Sequence, residues 1–280
     1  MTLWYGRRQT YLLRWMEQPA AVPPVVVGLP FYDTYDAWPY KEEINTSFIM
    51  NRRSPQSRGL IAWWPLGLRP YGQLFGVGTK PILGGANFPI PDPGHRRGMT
   101  TLFDSSSSQL LRYLAAVRDT IPITVTAWFR STTSSSGQTL LCISDVATDS
   151  WWMRLFIRAA AGGQTVLWNI KDAGVQAYAD TPQSWTVGHW HFAAGRSIDT
   201  NAHAAFLDGR YKGSDVTDVD PDVLNRTTIG ATELSIGTSG YMEGQIADVR
   251  VYNKALSDQE IWQMYNPRSR WDLYRVGGEM

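Results

Sequence analysis

From residue 59 onward, the sequence consists of short runs rich in β-branched and aromatic residues, separated by clusters of Gly, Ser, Asp and Asn. Apolar side chains occupy alternate positions in residues 123–130 and again in residues 151–158. This period of two is typical of antiparallel strands with one face on a core. Because the runs follow one another without long helical stretches between them, their spacing favours a β-sandwich over βαβ units.

The two alternating runs present different side chains. In the first run, one apolar face predicts a half-buried strand with that side on the core: Ile123, Val125, Ala127 and Phe129. In the second run, the outward set combines charge and aromatic rings, and we expect it to meet solvent or a partner. That outward set is Trp152, Arg154, Phe156 and Arg158.

The C-terminal part predicts a β-meander followed by one helix. Polar turns at residues 199–201 and 208–209 connect predicted strands, and a last alternating strand covers residues 245–252. Ser257 and Glu260 have the spacing of a capping box, which predicts a short helix beginning there. Pro267 ends that helix because proline cannot continue the hydrogen-bond ladder.

Charge and cysteine content exclude several function classes. The 280 residues contain 26 Lys and Arg against 25 Asp and Glu, a net charge of +1, which favours neither a nucleic-acid partner nor an anionic membrane. We also expect no membrane anchor, since the apolar stretch at residues 20–30 is short and broken by proline. Cys142 is the one cysteine, and its apolar surroundings predict a buried, inert thiol.

Residues 1–58 have a different composition and are predicted to form an extended arm. Proline at positions 19, 23, 24, 30 and 39 interrupts every stretch that could form a strand or helix. The arm has too many aromatic rings for a solvated linker, so we expect it to lie on a surface of this chain or of a neighbour. The candidate assembly residues of the arm are Trp4, Tyr5, Tyr11, Trp15, Phe31, Tyr32, Tyr35 and Trp38.

Four sequence blocks resemble the laminin-G-like jelly-roll family of the concanavalin-A-like superfamily. They are G-L-I-A-W-W-P at residues 59–65, L-F-D-S-S at 102–106, I-P-I-T-V-T-A-W at 121–128, and a C-terminal set formed by residues 190–194, 206–209 and 244–257. The resemblance implies an all-β jelly-roll sandwich of two antiparallel sheets, and it says little about residues 1–58. Together with the extended N-terminal arm that composition predicts and the short C-terminal helix, it divides the chain into an arm at residues 1–58, a sandwich at 59–266 and a tail at 267–280.

The segment S-P-Q-S-R-G-L at residues 54–60 is similar to a segment of tailed-bacteriophage proteins that carry this fold. That resemblance implies a non-enzymatic virion structural protein, such as a capsid decoration protein assembled in the host cytoplasm. Its partners would be a major capsid protein, other virion proteins and further copies of this chain, contacted through the arm. Fold alone does not determine function, so the implication is by analogy.

A carbohydrate-binding adhesin that recognises host-surface glycans is the alternative function. The chain has 13 Trp and 13 Tyr, and aromatic faces can stack on sugar rings while polar side chains bond the hydroxyl groups. Burial in the core or against another subunit is the competing interpretation for each ring. The candidate sugar-binding residues are Trp151, Trp152, Trp168, Tyr178 and Trp185.

The sequence contains neither a recognisable catalytic motif nor a recognisable metal-binding motif. A glycosidase needs paired carboxylates, yet the acidic cluster at residues 215–222 lies in a turn-like stretch that is typical of a solvated loop. That cluster also lacks the glycine and glutamate of an EF-hand loop. His189, His191 and His203 are expected to be structural, because no further zinc ligands accompany them. We predict no enzyme activity and no cofactor; calcium on the sandwich rim stays open as an alternative.

Overall fold

The computed structural model describes residues 48–66, 83–84, 90–91, 100–159, 163–270 and 272–276. Within these ranges, the chain forms nineteen β-strands, one α-helix and one short 3-10 turn at Pro55–Ser57. The strands are β1 (Phe48–Met50), β2 (Leu60–Trp64), β3 (Leu83–Gly84), β4 (Ile90–Pro91), β5 (Thr101–Phe103), β6 (Leu111–Tyr113), β7 (Ile123–Ser131), β8 (Gln138–Ser144), β9 (Trp152–Ile157), β10 (Val166–Asp172), β11 (Val175–Asp180), β12 (His191–Asp199), β13 (Ala202–Leu207), β14 (Tyr211–Asp215), β15 (Arg226–Ile229), β16 (Thr232–Leu234), β17 (Gly237–Ser239), β18 (Gly244–Tyr252) and β19 (Tyr274–Val276). The helix, α1, is Asp258–Tyr265.

Two large antiparallel sheets dominate the described part of the chain. A seven-stranded sheet has the order β11-β10-β9-β8-β15-β6-β3, and an eight-stranded sheet has the order β14-β13-β12-β7-β18-β5-β4 with β2 also paired to β18. Two small sheets, β1-β19 and β16-β17, complete the pairing. The prediction of an all-β jelly-roll sandwich is therefore confirmed.

The core between the two sheets follows from the alternation in the sequence. On β7, the predicted inward set is fully buried, and on β9 the inward residues Met153, Leu155 and Ile157 are fully buried too. Trp168 on β10 and Trp185 on the loop after β11 fill the same cluster. Because successive side chains of a strand point to opposite faces, each strand supplies every second residue to this core.

The outer face of the eight-stranded sheet holds a second apolar cluster, which the sequence did not predict. Trp128 on β7 points into it and contacts Phe192 edge-on, with 5.5 Å between ring centroids. The helix α1 covers this face with Ile261 and Met264. Strand β7 is consequently buried on both sides, so the prediction of a half-buried strand is wrong for its second face.

Residues 48–58 and the segment after α1 pack on the same side of the molecule. Strand β1 pairs with β19, and Met50 and Leu273 both join the second cluster. Ser54 caps the 3-10 turn, and the buried side-chain amide of Gln56 donates to the Ser269 carbonyl oxygen over 2.6 Å. Residues on either side of the boundaries predicted at 58 and 266 thus pack together, and the boundaries themselves stay predictions.

The aromatic residues that were assigned to an assembly arm lie outside the described residues. They are Trp4, Tyr5, Tyr11, Trp15, Phe31, Tyr32, Tyr35 and Trp38. Their assembly role stays a prediction.

A buried ion pair within β18 also bonds Gln56 of residues 48–58, which we call the N-terminal segment. Arg250 bonds both carboxylate oxygens of Asp248, at 2.9 and 2.6 Å, and also donates to Gln56 over 2.7 Å. The indole of Trp63 donates to the same Asp248 carboxylate over 2.6 Å. Asp248 has a φ of 51° at a register shift of β18 against β7, which turns its carboxylate toward these partners.

The predicted capping box is confirmed at the start of α1. The Ser257 hydroxyl accepts from the Glu260 backbone N–H, and the Glu260 carboxylate accepts from the Ser257 backbone N–H over 2.7 Å. Both bonds satisfy N–H groups that the helix itself leaves without partners. The helix is therefore fixed at the position from which it covers the eight-stranded sheet.

Candidate functional site

The outer face of the seven-stranded sheet carries aromatic and cationic side chains across three neighbouring strands. Strand β9 pairs with β10 so that Arg154 lies opposite Asn169 and Trp152 lies opposite Lys171. Strand β11 continues the row with Tyr178 opposite Asn169. We call this surface the β9–β11 face, and its residues are Trp152, Arg154, Phe156, Arg158, Asn169, Lys171, Gln176, Tyr178 and Asp180.

Asn169 organises the centre of the β9–β11 face through four hydrogen bonds. Its side-chain oxygen accepts from the Trp152 indole over 2.8 Å and from Arg154 Nε over 2.9 Å. Its amide nitrogen donates to the Ala177 carbonyl oxygen over 2.9 Å and to Gln176 Oε1 over 3.5 Å. Because Asn169 is itself fully buried, it holds both neighbouring side chains in fixed positions.

Arg154 lies between two aromatic rings of its own strand. The guanidinium carbon is 4.7 Å from the centroid of the Phe156 ring and 5.4 Å from that of Trp152. Burial lowers the pKa of Arg154 from its ordinary value. Among the described residues, no carboxylate forms an ion pair with Arg154.

The periphery of the face combines an ion pair with an exposed ring. Arg158 Nη1 bonds Asp180 Oδ2 over 2.7 Å, and its guanidinium carbon is 6.0 Å from the Tyr178 ring centroid. Tyr178 is 42% exposed, and its hydroxyl donates to Gln176 Oε1 over 2.5 Å. Lys171 is half-buried, with Nζ 4.4 Å from the Trp152 ring centroid. Ring faces and hydrogen-bond donors therefore lie side by side.

The β16–β17 hairpin limits this face on one side by packing over β8 and β15. Glu233 of the hairpin bonds Arg112 over 2.7 Å and Arg226 over 3.2 Å. Thr232 shares a 2.8 Å hydrogen bond with Thr139 of β8.

Cys142 lies on β8 with no exposed surface, and burial raises the pKa of its thiol to about 11. The inert thiol predicted from the sequence agrees with this position.

The structure separates the five predicted sugar-binding aromatic residues. Tyr178 and Trp152 lie on the β9–β11 face, although Trp152 is only 7% exposed. Trp168 and Trp185 are corrected, because both are buried in the core between the sheets and present no ring face to a ligand. Trp151 lies elsewhere, on a groove at the rim, where its indole donates to Asp172 over 3.0 Å.

The sequence prediction missed Arg154, Phe156, Lys171 and Gln176 as candidate site residues. Alternation had already placed Arg154 and Phe156 on the outward face of β9, so a signal for them existed. Lys171 and Gln176 join the face only through the pairing of β10 with its neighbours. That register depends on contacts between strands and cannot be read from one segment.

The rim groove has a volume of about 680 Å³ and an acidic lining. Asp119, Asp172, Asp220 and Asp222 contribute to it, beside Trp151. Within the ranges that the structure describes, no group of three or more His, Cys, Asp or Glu side chains is arranged to hold a metal ion. The exposure of Asp218, Asp220 and Asp222 agrees with the solvated loop that the sequence predicted.

His191 and His203 occupy structural positions in hydrogen-bond networks. His203 is buried; its Nδ1 lies 2.9 Å from the Ser197 hydroxyl oxygen, and its Nε2 lies 2.8 Å from the Thr200 carbonyl oxygen. His191 Nδ1 lies 3.0 Å from Asp208, and its Nε2 accepts from the Thr186 backbone N–H. The Ser197–His203 pair is enclosed, so no substrate reaches its hydroxyl.

No helix among the described residues is long and apolar enough to cross a bilayer.

Comparisons with known proteins agree with the architecture. A sequence model of the Laminin_G_3 family, described as the concanavalin A-like lectin/glucanases superfamily, matches residues 104–262. No curated protein matches the sequence. Domain 4 of AbnA, a GH43 extracellular arabinanase from Geobacillus stearothermophilus solved with arabinotriose, matches with a TM-score of 0.55 and 13% identity, over 75% of this chain and 100% of that domain.

The binding domain of botulinum neurotoxin serotype D matches with a TM-score of 0.52 and 16% identity. That alignment covers 74% of this chain and 51% of the neurotoxin chain. At such low identities, both similarities concern the fold alone.

Proposed function

The chain belongs to the Laminin_G_3 family of the concanavalin A-like lectin/glucanases superfamily, and on that premise we propose that it is a non-catalytic protein that binds glycans on its β9–β11 face. The observation that carries the proposal is the contrast between the two sheets. The eight-stranded sheet buries its outer aromatic rings under α1, whereas the β9–β11 face leaves Tyr178 exposed and Phe156 half-buried. Exposed rings next to polar groups are typical of binding surfaces.

The chemistry of this face suits a sugar. A pyranose or furanose ring has an apolar side of C–H groups that stacks on an aromatic ring, and hydroxyl groups at its edge that need hydrogen-bond partners. Tyr178 supplies the ring, and Arg154, Lys171 and the side-chain amide nitrogen of Gln176 supply hydrogen-bond donors. Trp152 is too buried to stack on a ligand, so its role is to position Arg154 and Lys171.

Electrostatics at the edge of the face favour binding without catalysis. A glycosidase needs a carboxylic acid whose pKa is raised so that it can donate a proton. Asp215 accepts from the Tyr178 backbone N–H over 3.1 Å. Burial raises the pKa of Asp215, but hydrogen bonds from Thr217 and Tyr178 outweigh that effect and hold the pKa below its ordinary value. Asp215 is therefore a fixed anion that anchors β11.

The support that the similar solved structures give to this proposal comes from their fold alone. The arabinanase domain was solved with a bound arabinotriose, and the neurotoxin domain is a binding domain. A β-sandwich of this kind can thus serve as a scaffold for recognition, and the residues on its faces determine the ligand.

The virion role stays a prediction, along with its capsid partners and location. The segment at residues 54–60 that suggested it is explained by packing within this chain. Ser54 caps the 3-10 turn, Gln56 bonds Arg250 and Ser269, and Leu60 is buried on β2. An adhesin on a virion would combine both functions.

A glycan array probed with the full chain tests the proposed function. We expect binding to a defined set of oligosaccharides, with a loss of about tenfold or more in affinity for Tyr178→Ala, because one stacked ring contributes on the order of 1.5 kcal/mol. Tyr211→Ala is the matched control, since Tyr211 is 37% exposed and belongs to the eight-stranded sheet. Equal losses in both variants, or silence across the array, would contradict the proposal.

A further inference from the structure

Arg154 differs from the other arginines on the outer face of the seven-stranded sheet. Arg158 pairs with Asp180, while Arg112 and Arg226 share Glu233. The guanidinium of Arg154 instead makes one hydrogen bond, through Nε, to the neutral side chain of Asn169. Among the described residues, nothing bonds its Nη1 and Nη2 atoms, which leaves four N–H donors for another partner.

The surroundings of Arg154 orient this free end. Phe156 and Trp152 lie 4.7 and 5.4 Å from the guanidinium carbon, and Asn169 holds the Nε side. A guanidinium presents two parallel N–H groups at the Nη1–Nη2 edge, and their spacing matches the two oxygens of a carboxylate. An arginine held by three neighbours loses little side-chain freedom when it binds such a ligand.

The local charge also favours an anion. Lys171 lies on the neighbouring strand, and its ammonium donates to the Asp149 backbone carbonyl oxygen over 2.6 Å, not to a carboxylate. Lys171 and Arg154 both contact the Trp152 ring, so two positively charged groups lie next to the same indole. Burial lowers the pKa of Arg154, and an anionic ligand would offset that cost.

We propose that Arg154 binds the carboxylate of an acidic sugar through Nη1 and Nη2, so that the ligands of the β9–β11 face are carboxylate-bearing glycans. This inference rests on the proposed glycan-binding function and specifies its ligand class. The carboxylate occupies the free edge of Arg154, and the sugar ring that carries it extends toward Tyr178. Lys171 adds attraction without defining the geometry, because an ammonium acts as a point charge.

A printed array of neutral, carboxylated and sulfated oligosaccharides provides the first test. We expect the full chain to bind carboxylated members above the other two groups. Calorimetric titration then compares the best carboxylated oligosaccharide with its methyl ester, which keeps the sugar and removes the charge. We expect the ester to bind at least about tenfold more weakly, since hydrogen bonds to charged groups are the strong ones.

Variants of Arg154 connect this preference to the residue. Arg154→Met keeps the length and the contact with both rings, and we expect it to bind the free acid and the ester with equal, weak affinity. Arg154→Lys keeps the charge without the paired donors and should be intermediate. Arg210→Met is the control, because it removes one exposed positive charge beside Trp262 and should leave binding unchanged.

The outcomes separate the inference from the proposed function. Binding of neutral or sulfated glycans alone, or an unchanged acid-to-ester ratio in Arg154→Met, overturns the carboxylate inference and leaves glycan binding intact. Silence of the whole array overturns both. Thermal unfolding of each variant verifies its fold; if Arg154→Met is unfolded, the ester comparison on the unaltered chain and the Arg154→Lys variant decide the question.

Discussion

The two sheets of this sandwich use the same kinds of side chain on their outer faces for different purposes. On the eight-stranded sheet, Trp128, Phe192 and Phe206 are buried, and α1 together with residues before β2 and after α1 covers them. On the β9–β11 face, Phe156 and Tyr178 retain exposed surface next to Arg154. The first arrangement stabilises the fold, and the second leaves ring faces and charges accessible.

Ionic contacts show the same contrast. The Asp248–Arg250 pair beneath the N-terminal segment has side chains only 4% and 2% exposed, whereas the Arg158–Asp180 pair of the β9–β11 face is 41% and 27% exposed. A buried charge that loses its partner is costly, and an exposed one is solvated by water. The Asp248–Arg250 pair should therefore matter for folding, and the Arg158–Asp180 pair should matter little.

The largest expected effect comes from Asp248→Ala, which leaves the buried Arg250 without a carboxylate. We expect the free energy of unfolding to fall by about 3–5 kcal/mol, measured by chemical denaturation of the full chain. Asp180→Ala is the matched control on the β9–β11 face and should cost less than about 1 kcal/mol. Similar losses in both variants would show that the two faces do not differ in the way described.

A smaller loss is expected when the cover itself is weakened. Ile261 of α1 is fully buried against the eight-stranded sheet, so Ile261→Ala should lower the free energy of unfolding by about 3 kcal/mol. Gln259→Ala, at an exposed position of the same helix, should have little effect. If Ile261→Ala left the denaturation midpoint unchanged, α1 would not be a stabilising cover.

The smallest expected loss is at the start of the helix. Ser257→Ala removes the side-chain acceptor of the capping box and should cost about 1 kcal/mol. Ser257→Asp keeps an acceptor at the same position and should restore most of that loss. Equal midpoints for the original chain and Ser257→Ala would mean that the cap contributes nothing to holding α1.

Local patterns in the sequence were sufficient for the elements that depend on local contacts. The alternation in β7 and β9 identified their inward residues, and the spacing of Ser257 and Glu260 identified the helix start. Each of these features is determined within one turn or one strand. The family resemblance then gave the order in which the strands form two sheets.

The features that were missed depend on residues far apart in the chain. The second face of β7 is buried because Met50 and Ile261 come to it from opposite ends of the sequence. Trp168 could have been assigned to the core, since Val166 and Ile170 share its face on β10. Trp185 follows β11 in a loop, where no period of two indicates which way a side chain points.

Nuclear magnetic resonance of the ¹⁵N-labelled full chain, titrated with the strongest oligosaccharide from the array, tests the central claim most directly. We expect shifts to be confined to β9, β10 and β11, including the Trp152 indole N–H that donates to Asn169. The indole signals of Trp63 and Trp128, under the covered face, should not move. Shifts concentrated at α1 or at the rim groove, with β9–β11 unchanged, would contradict the account.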